Sequence, residues 1–261
     1  MSGPARAPLG AMTVAGRVLF AFGLSGIGAL SLGSGDFAYT WQPVPEGFAG
    51  REILARVLGG LLLTGGAGVL LPRAAAWSVR LVTLYLLSWA VFLHAPPVVR
   101  APLDAGAWLG LAENMLLVCG GWILAMSLGE KAGGGAVAAA RVITGVCCLL
   151  FALAHVVYSG PTAGMVPPWM PARLGLAYFT GAAHAAAGLG ILLSVVPRLA
   201  AALEATMVGL FVVLLHLPGA IGQPASRLEW TMLFVASALS GALWLVAGSY
   251  SRPASTAQRG N

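Results

Sequence analysis

Apolar residues fall into eight runs along this chain, each about as long as a bilayer core is thick, and polar residues collect in the gaps. The runs predict helices over 14–32, 52–72, 74–95, 105–128, 139–159, 174–196, 198–218 and 227–249. Spanning the hydrocarbon takes roughly 20 helical residues, which each run supplies. Two gaps are long, 33–51 and 160–173. They carry Pro43, Pro45, Pro161, Pro167, Pro168 and Pro171, which disfavour regular helix there. Two others are tight corners, Leu71-Pro72-Arg73 and Val196-Pro197-Arg198. Proline opens a helix well at such corners because its missing N–H has no intrahelical partner to lose.

The pattern also repeats. "GRVLFAFGLSGIGAL" at 16–30 parallels "ARVITGVCCLLFALA" at 140–154, the Val-Pro at 44–45 parallels that at 166–167, and "FLHAP" at 92–96 parallels "LLHLP" at 214–218. The last two matches share an offset of 122 residues, Val44 against Val166 and His94 against His216. This predicts an all-α membrane protein of eight transmembrane helices, arranged as two tandem four-helix bundles. An even number of spans per unit gives both the same orientation. The first unit covers 1–131, a Gly-rich linker 132–138, the second unit 139–250, and a disordered tail 251–261. The first apolar run is read as a retained helix, since cleaving it as a signal peptide would remove the first span of a repeat.

Composition agrees: 59% of residues are hydrophobic and 8% charged, where a soluble domain carries about a quarter charged. Mean hydropathy is +0.88. The net charge of +6 would hint at nucleic acid if it were clustered, but it is divided by side. One side takes Arg6, Arg17, Arg73, Arg80, Lys131, Arg141, Arg198, Arg252 and Arg259. The other takes Arg51, Arg56, Arg100, Arg173 and Arg227. The richer side marks the cytoplasm and places both termini there. Glu130 and Glu204 fall on that side, the other six acids outside or near it. The partner implied is the lipid bilayer with its anionic headgroups, and no nucleic acid.

Ionisable groups inside hydrocarbon are the strongest pointers to a site. By this topology all four histidines fall in the outer half. His94 and His216 end outward-running helices at matching repeat positions, and His155 lies near the outer end of the fifth helix. His184 lies roughly 15 Å into the sixth, where an imidazole needs a partner. Its helix face carries Ala177, Thr180, Gly181 and Gly188, small residues that let a helix or a flat ligand come close; helix packing is the simpler of the two. Glu113 sits two turns into the fourth helix beside Asn114, and Arg227 and Glu229 open the eighth as rim charges. Cys119, Cys147 and Cys148 share a depth near mid-membrane, with no motif for a disulfide framework, zinc or an activated thiol. No phosphate loop, hydrolase triad or zincin helix occurs.

The Arg-started first helix, the "VPPWMP" run at 166–171, the Gly/Ala-rich second helix closing at Pro-Arg, and "LHLP" at 215–218 together resemble the DoxX-like membrane proteins. The second unit matches over about 139–249. The first departs, with "WQPVPEGF" at 41–48 and no counterpart of His155 or His184. That resemblance implies a multi-pass protein of the bacterial plasma membrane, associated in some members with quinone-linked or thiol-redox complexes. On this basis His155, His184, His216, Glu113 and His94 are the candidates to hold a quinone, or less readily a haem, alongside a soluble or membrane redox partner. No metal site is expected. A binder or transporter of a lipid or small apolar molecule, or an assembly scaffold, are the alternatives.

Overall fold

The structure is a computed structural model that describes residues 10–129 and 134–250. The charges Arg6, Glu130, Lys131, Arg252 and Arg259, the start of the expected linker at 132–133 and the expected tail 251–261 lie outside the described residues. Among the described residues the chain is all-helical, and eight helices are long and apolar enough to cross a membrane.

The spans are α1 (Ala11–Ser34), α2 (Arg51–Leu70), α3 with α4 (Ala75–Trp89 and Ala95–Arg100), α5 (Ala105–Leu128), α6 (Gly134–Val157), α8 (Arg173–Leu192), α9 with α10 (Pro197–Phe211 and Leu217–Gly222) and α11 (Arg227–Ser249). A short helix, α7 (Ser159–Met165), occupies part of the 160–173 gap that the prolines were expected to keep irregular. Pro161 falls in its first turn, where a missing N–H costs nothing. Helix α6 starts at Gly134, inside the expected linker. First-turn amides have no intrahelical acceptor, so the run of alanines behind them carries the helix back through the glycines.

The spans α3–α4 and α9–α10 each widen into a five-residue π-helical segment, Ala90–His94 and Val212–His216. A proline inside a helix collides with the carbonyl four residues back, and one extra residue in the turn relieves it. Pro96 and Pro218 stand just after the two segments. From Arg51 onward the helix starts recur 122 residues later, Arg51 against Arg173 and Ala105 against Arg227. Smaller details recur as well. Asp104 and Ser226 cap the last helices, and the indole Nε1 of Trp108 and of Trp230 donates to the carbonyl of Pro102 and of Pro224, at 2.9 and 3.0 Å.

The two halves share one core. Helix α1 packs on α2 and, most extensively, on α11, while α6 packs on α8 and on α5. The spans follow one another around a closed ring, and α5 and α11 also meet across its middle. Accordingly α11 is the most buried span and α5 the next. Lipid supplies no hydrophobic drive between helices, so close approach of small residues does the work. At the α1–α11 crossing a side chain on Gly16 would stand 2.8 Å from the Gly241 carbonyl oxygen, so both positions need glycine.

Charge anchors both ends. At one end Arg17 donates to the Val69 carbonyl at 2.7 Å, and Arg141 donates to the Ser249 hydroxyl and carbonyl and lies over the Tyr250 ring. At the other, Asp36 holds Arg51 at 2.7 Å and Arg227 at 3.2 Å, so Arg227 is a tie between the 33–51 segment and α11 rather than a free rim charge. Burial pushes the Asp36 carboxyl up. The Phe37 amide, Arg227 and Arg51 together outweigh that and leave it below its ordinary value.

Candidate functional site

Helix α8 extends past the end of α6, so the last turn of α6 meets the middle of α8. Gly181 makes this possible, because a Cβ there would stand 2.9 Å from the Cβ of His155. The small face of α8 is therefore a helix-packing face, and one turn further along it His184 points into the core. His184 is 11 residues from Arg173 and eight from Leu192. It lies near the middle of its span, somewhat closer to the Val196-Pro197 corner than to Arg173.

Beyond the corner, Glu204 is seven residues into α9. The two side chains stand at the same level on adjacent helices, and His184 Nδ1 is 2.5 Å from Glu204 Oε1. Both residues are nearly inaccessible, at 2% and 1% exposure. Glu204 was expected among the charges of the cytoplasmic side, but it is an intramembrane carboxylate. The signal was present in the sequence as matched distances from one tight corner.

The His155 ring lies 4.6 Å from the His184 ring, tilted by 54°. Its Nδ1 donates to the Phe151 carbonyl at 2.9 Å; a carbonyl can only accept, so the remaining lone pair is on Nε2. Phe151 and Phe211 wall the two rings, with centroids 5.7 and 6.2 Å from His184. Cys148 of α6 flanks Glu204. From α11 the neighbouring polar groups are neutral: Ser240 donates to the Ala205 carbonyl and Ser237 to that of Leu233. Two buried atoms of the cluster, His184 Nε2 and Glu204 Oε2, lack a protein partner among the described residues. Glu204 occupies Nδ1 of His184, which leaves Nε2 as the working atom.

The other candidates do not join this cluster. Glu113 makes no hydrogen bond or ion pair among the described residues, and neither does the half-buried His216 at the end of its π-helical segment. His94 is 6% exposed with its Nε2 unpartnered, but it stands over Gly110 in the first half. The three cysteines are free thiols. Among the described residues no three His, Cys, Asp or Glu side chains gather as metal ligands. Two imidazoles in tilted contact leave no room for a porphyrin between them, so His155 and His184 do not fit as paired haem ligands. They do fit a flat ring bearing a hydroxyl and approached from lipid, since the Nε2 lone pair of His155 can accept its hydrogen bond and Val156 and Val157 beside His155 are more than half exposed.

Two grooves lie between the halves. One, of about 410 Å³, runs between α1 and α11 from Gly26 to Arg227 and Phe234. The other, of about 460 Å³, lies at the opposite end against Met12, Val196–Leu199, Ala202 and Tyr250. No protein-family model, curated protein or solved structure matches the chain.

Proposed function

We propose that this chain is a DoxX-like multi-pass protein of the bacterial plasma membrane, with both termini cytoplasmic, that serves as a quinone-linked membrane subunit of a redox complex. The observation that carries the reading is the intramembrane pair of His184 and Glu204 at 2.5 Å with His155 against it. Ionisable groups inside hydrocarbon are costly and mark functional positions. The 122-residue recurrence supports a duplicated four-helix unit, of which only the second holds the site. A quinone supplies chemistry in which electrons and protons travel together. His155 accepts a hydrogen bond from the hydroxyl of the reduced quinol through the Nε2 lone pair at the lipid-facing flank, His184 stands behind it, and the aromatic walls of Phe151 and Phe211 exclude water.

The test is an optical spectrum of the purified protein, reduced and oxidised, with mass spectrometry of its organic extract. A stoichiometric quinone, lost in His155→Ala, is the expected result. An extract holding only bulk lipid overturns the reading. In that case the grooves between the halves favour a second one, a binder of a lipid or other apolar molecule, tested by substituting Gly26 in the α1–α11 groove and measuring retained lipid.

A further inference from the structure

The three ionisable groups are contiguous across three helices. Glu204 of α9 meets His184 at the same level on α8, and His155, near the α7 end of α6, lies against the His184 ring. We propose that Glu204, His184 and His155 form a proton path, with Glu204 as its inner terminus and His155 as the group that presents the proton at the lipid-facing flank.

The step balances without moving an electron. Protonated Glu204 gives its proton from Oε1 to Nδ1 of His184, and His184 gives the proton on its Nε2 to Nε2 of His155. Glu204 ends as a carboxylate, His184 as the neutral Nδ1–H tautomer, and His155 as an imidazolium still bonded through Nδ1 to the Phe151 carbonyl. The unpartnered Nε2 of His184, buried 4.6 Å ring-to-ring from His155, is the atom that makes the middle transfer. Titratable groups facing the path are Cys148 and His155 from α6, His184 from α8 and Glu204 from α9, with only serine hydroxyls from α11. What finally accepts the proton from His155 rests on the quinone reading above; the path itself does not.

The test is therefore made without a carrier. Full-length protein with ¹⁵N-labelled histidine rings, in nanodiscs, is followed by NMR for the exchange of the proton at His155 Nε2 with water. Glu204→Gln should slow that exchange by about a hundredfold, and Glu204→Asp should restore most of it. His184→Ala should slow it equally while the fold, read by circular dichroism, persists. Unchanged His155 exchange in folded Glu204→Gln or His184→Ala protein overturns the path, whether or not a quinone is bound. If both variants fail to fold, wild-type exchange that is faster at His155 than at His184 overturns it, because the proton must pass through His184 first.

Discussion

From Arg51 onward the helices of the first half start 122 residues before those of the second, and the two sets differ in what they bury. Leu62 stands 122 residues before His184, and Val82 stands 122 before Glu204; both are fully buried. Ser31 meets Gly59 as His155 meets Gly181, with the would-be Cβ at 2.8 and 2.9 Å. One scaffold thus closes equally well around leucine and valine or around an imidazole and a carboxylate. The fold does not demand the polar set, so its presence in one half needs a reason other than packing. The first half buries His94, Thr83 and Asn114 as separate polar residues, and at one end Gln42 donates to the Tyr85 hydroxyl at 2.9 Å and accepts from the Ala38 amide while Asp36 ties down two arginines.

The two halves differ most at Glu204 and His184. Glu204→Val alone leaves Nδ1 of His184 buried without a partner and should cost about 3 kcal/mol of stability. Adding His184→Leu copies the first half and should recover most of the loss, as measured by unfolding in detergent. Equal instability of the single and double variants would show that the halves are not interchangeable here. A smaller effect is expected at the helix crossing. Gly181→Ala drives a methyl into the Cβ of His155 and should cost about 1–3 kcal/mol, while Gly60→Ala, facing open space, should be near neutral.

The least effect belongs to the outer tie. Asp36→Asn should cost about 1 kcal/mol or less, since its partners are part-exposed. The sign with pH follows from its lowered value. The contribution is complete above the ordinary carboxylate range and fades as pH falls through the folded value, so wild type and Asp36→Asn should converge in stability only in acid. A gap between them that persists after Asp36 is protonated would mean the aspartate acts by shape alone.

The eight spans were legible because hydrocarbon thickness sets their length and apolarity, and the tandem offset showed in His94 and His216. The π-helical widenings were not, because a proline in a helix predicts a kink or a break and only packing decides which. His155 and His184 stood out as single residues. Their meeting did not, since it depends on how far α8 projects beyond α6 and on Gly181 admitting the close approach. Glu204 was lost among the arginines of the corner, although seven residues from Pro197 and eight from Leu192 is nearly the same depth.

The pairing of the first span with the last has a consequence for biogenesis. Helix α1 leaves the ribosome roughly 200 residues before α11, which at about 5–20 residues per second is about 10–40 s. Throughout that interval its glycine-lined flank is without the neighbour it fits best, and α2 is the companion already at hand. The newborn chain therefore waits as an open arc of spans and becomes a closed ring only once α11 has been made, so removing α11 should strand α1 without its main neighbour.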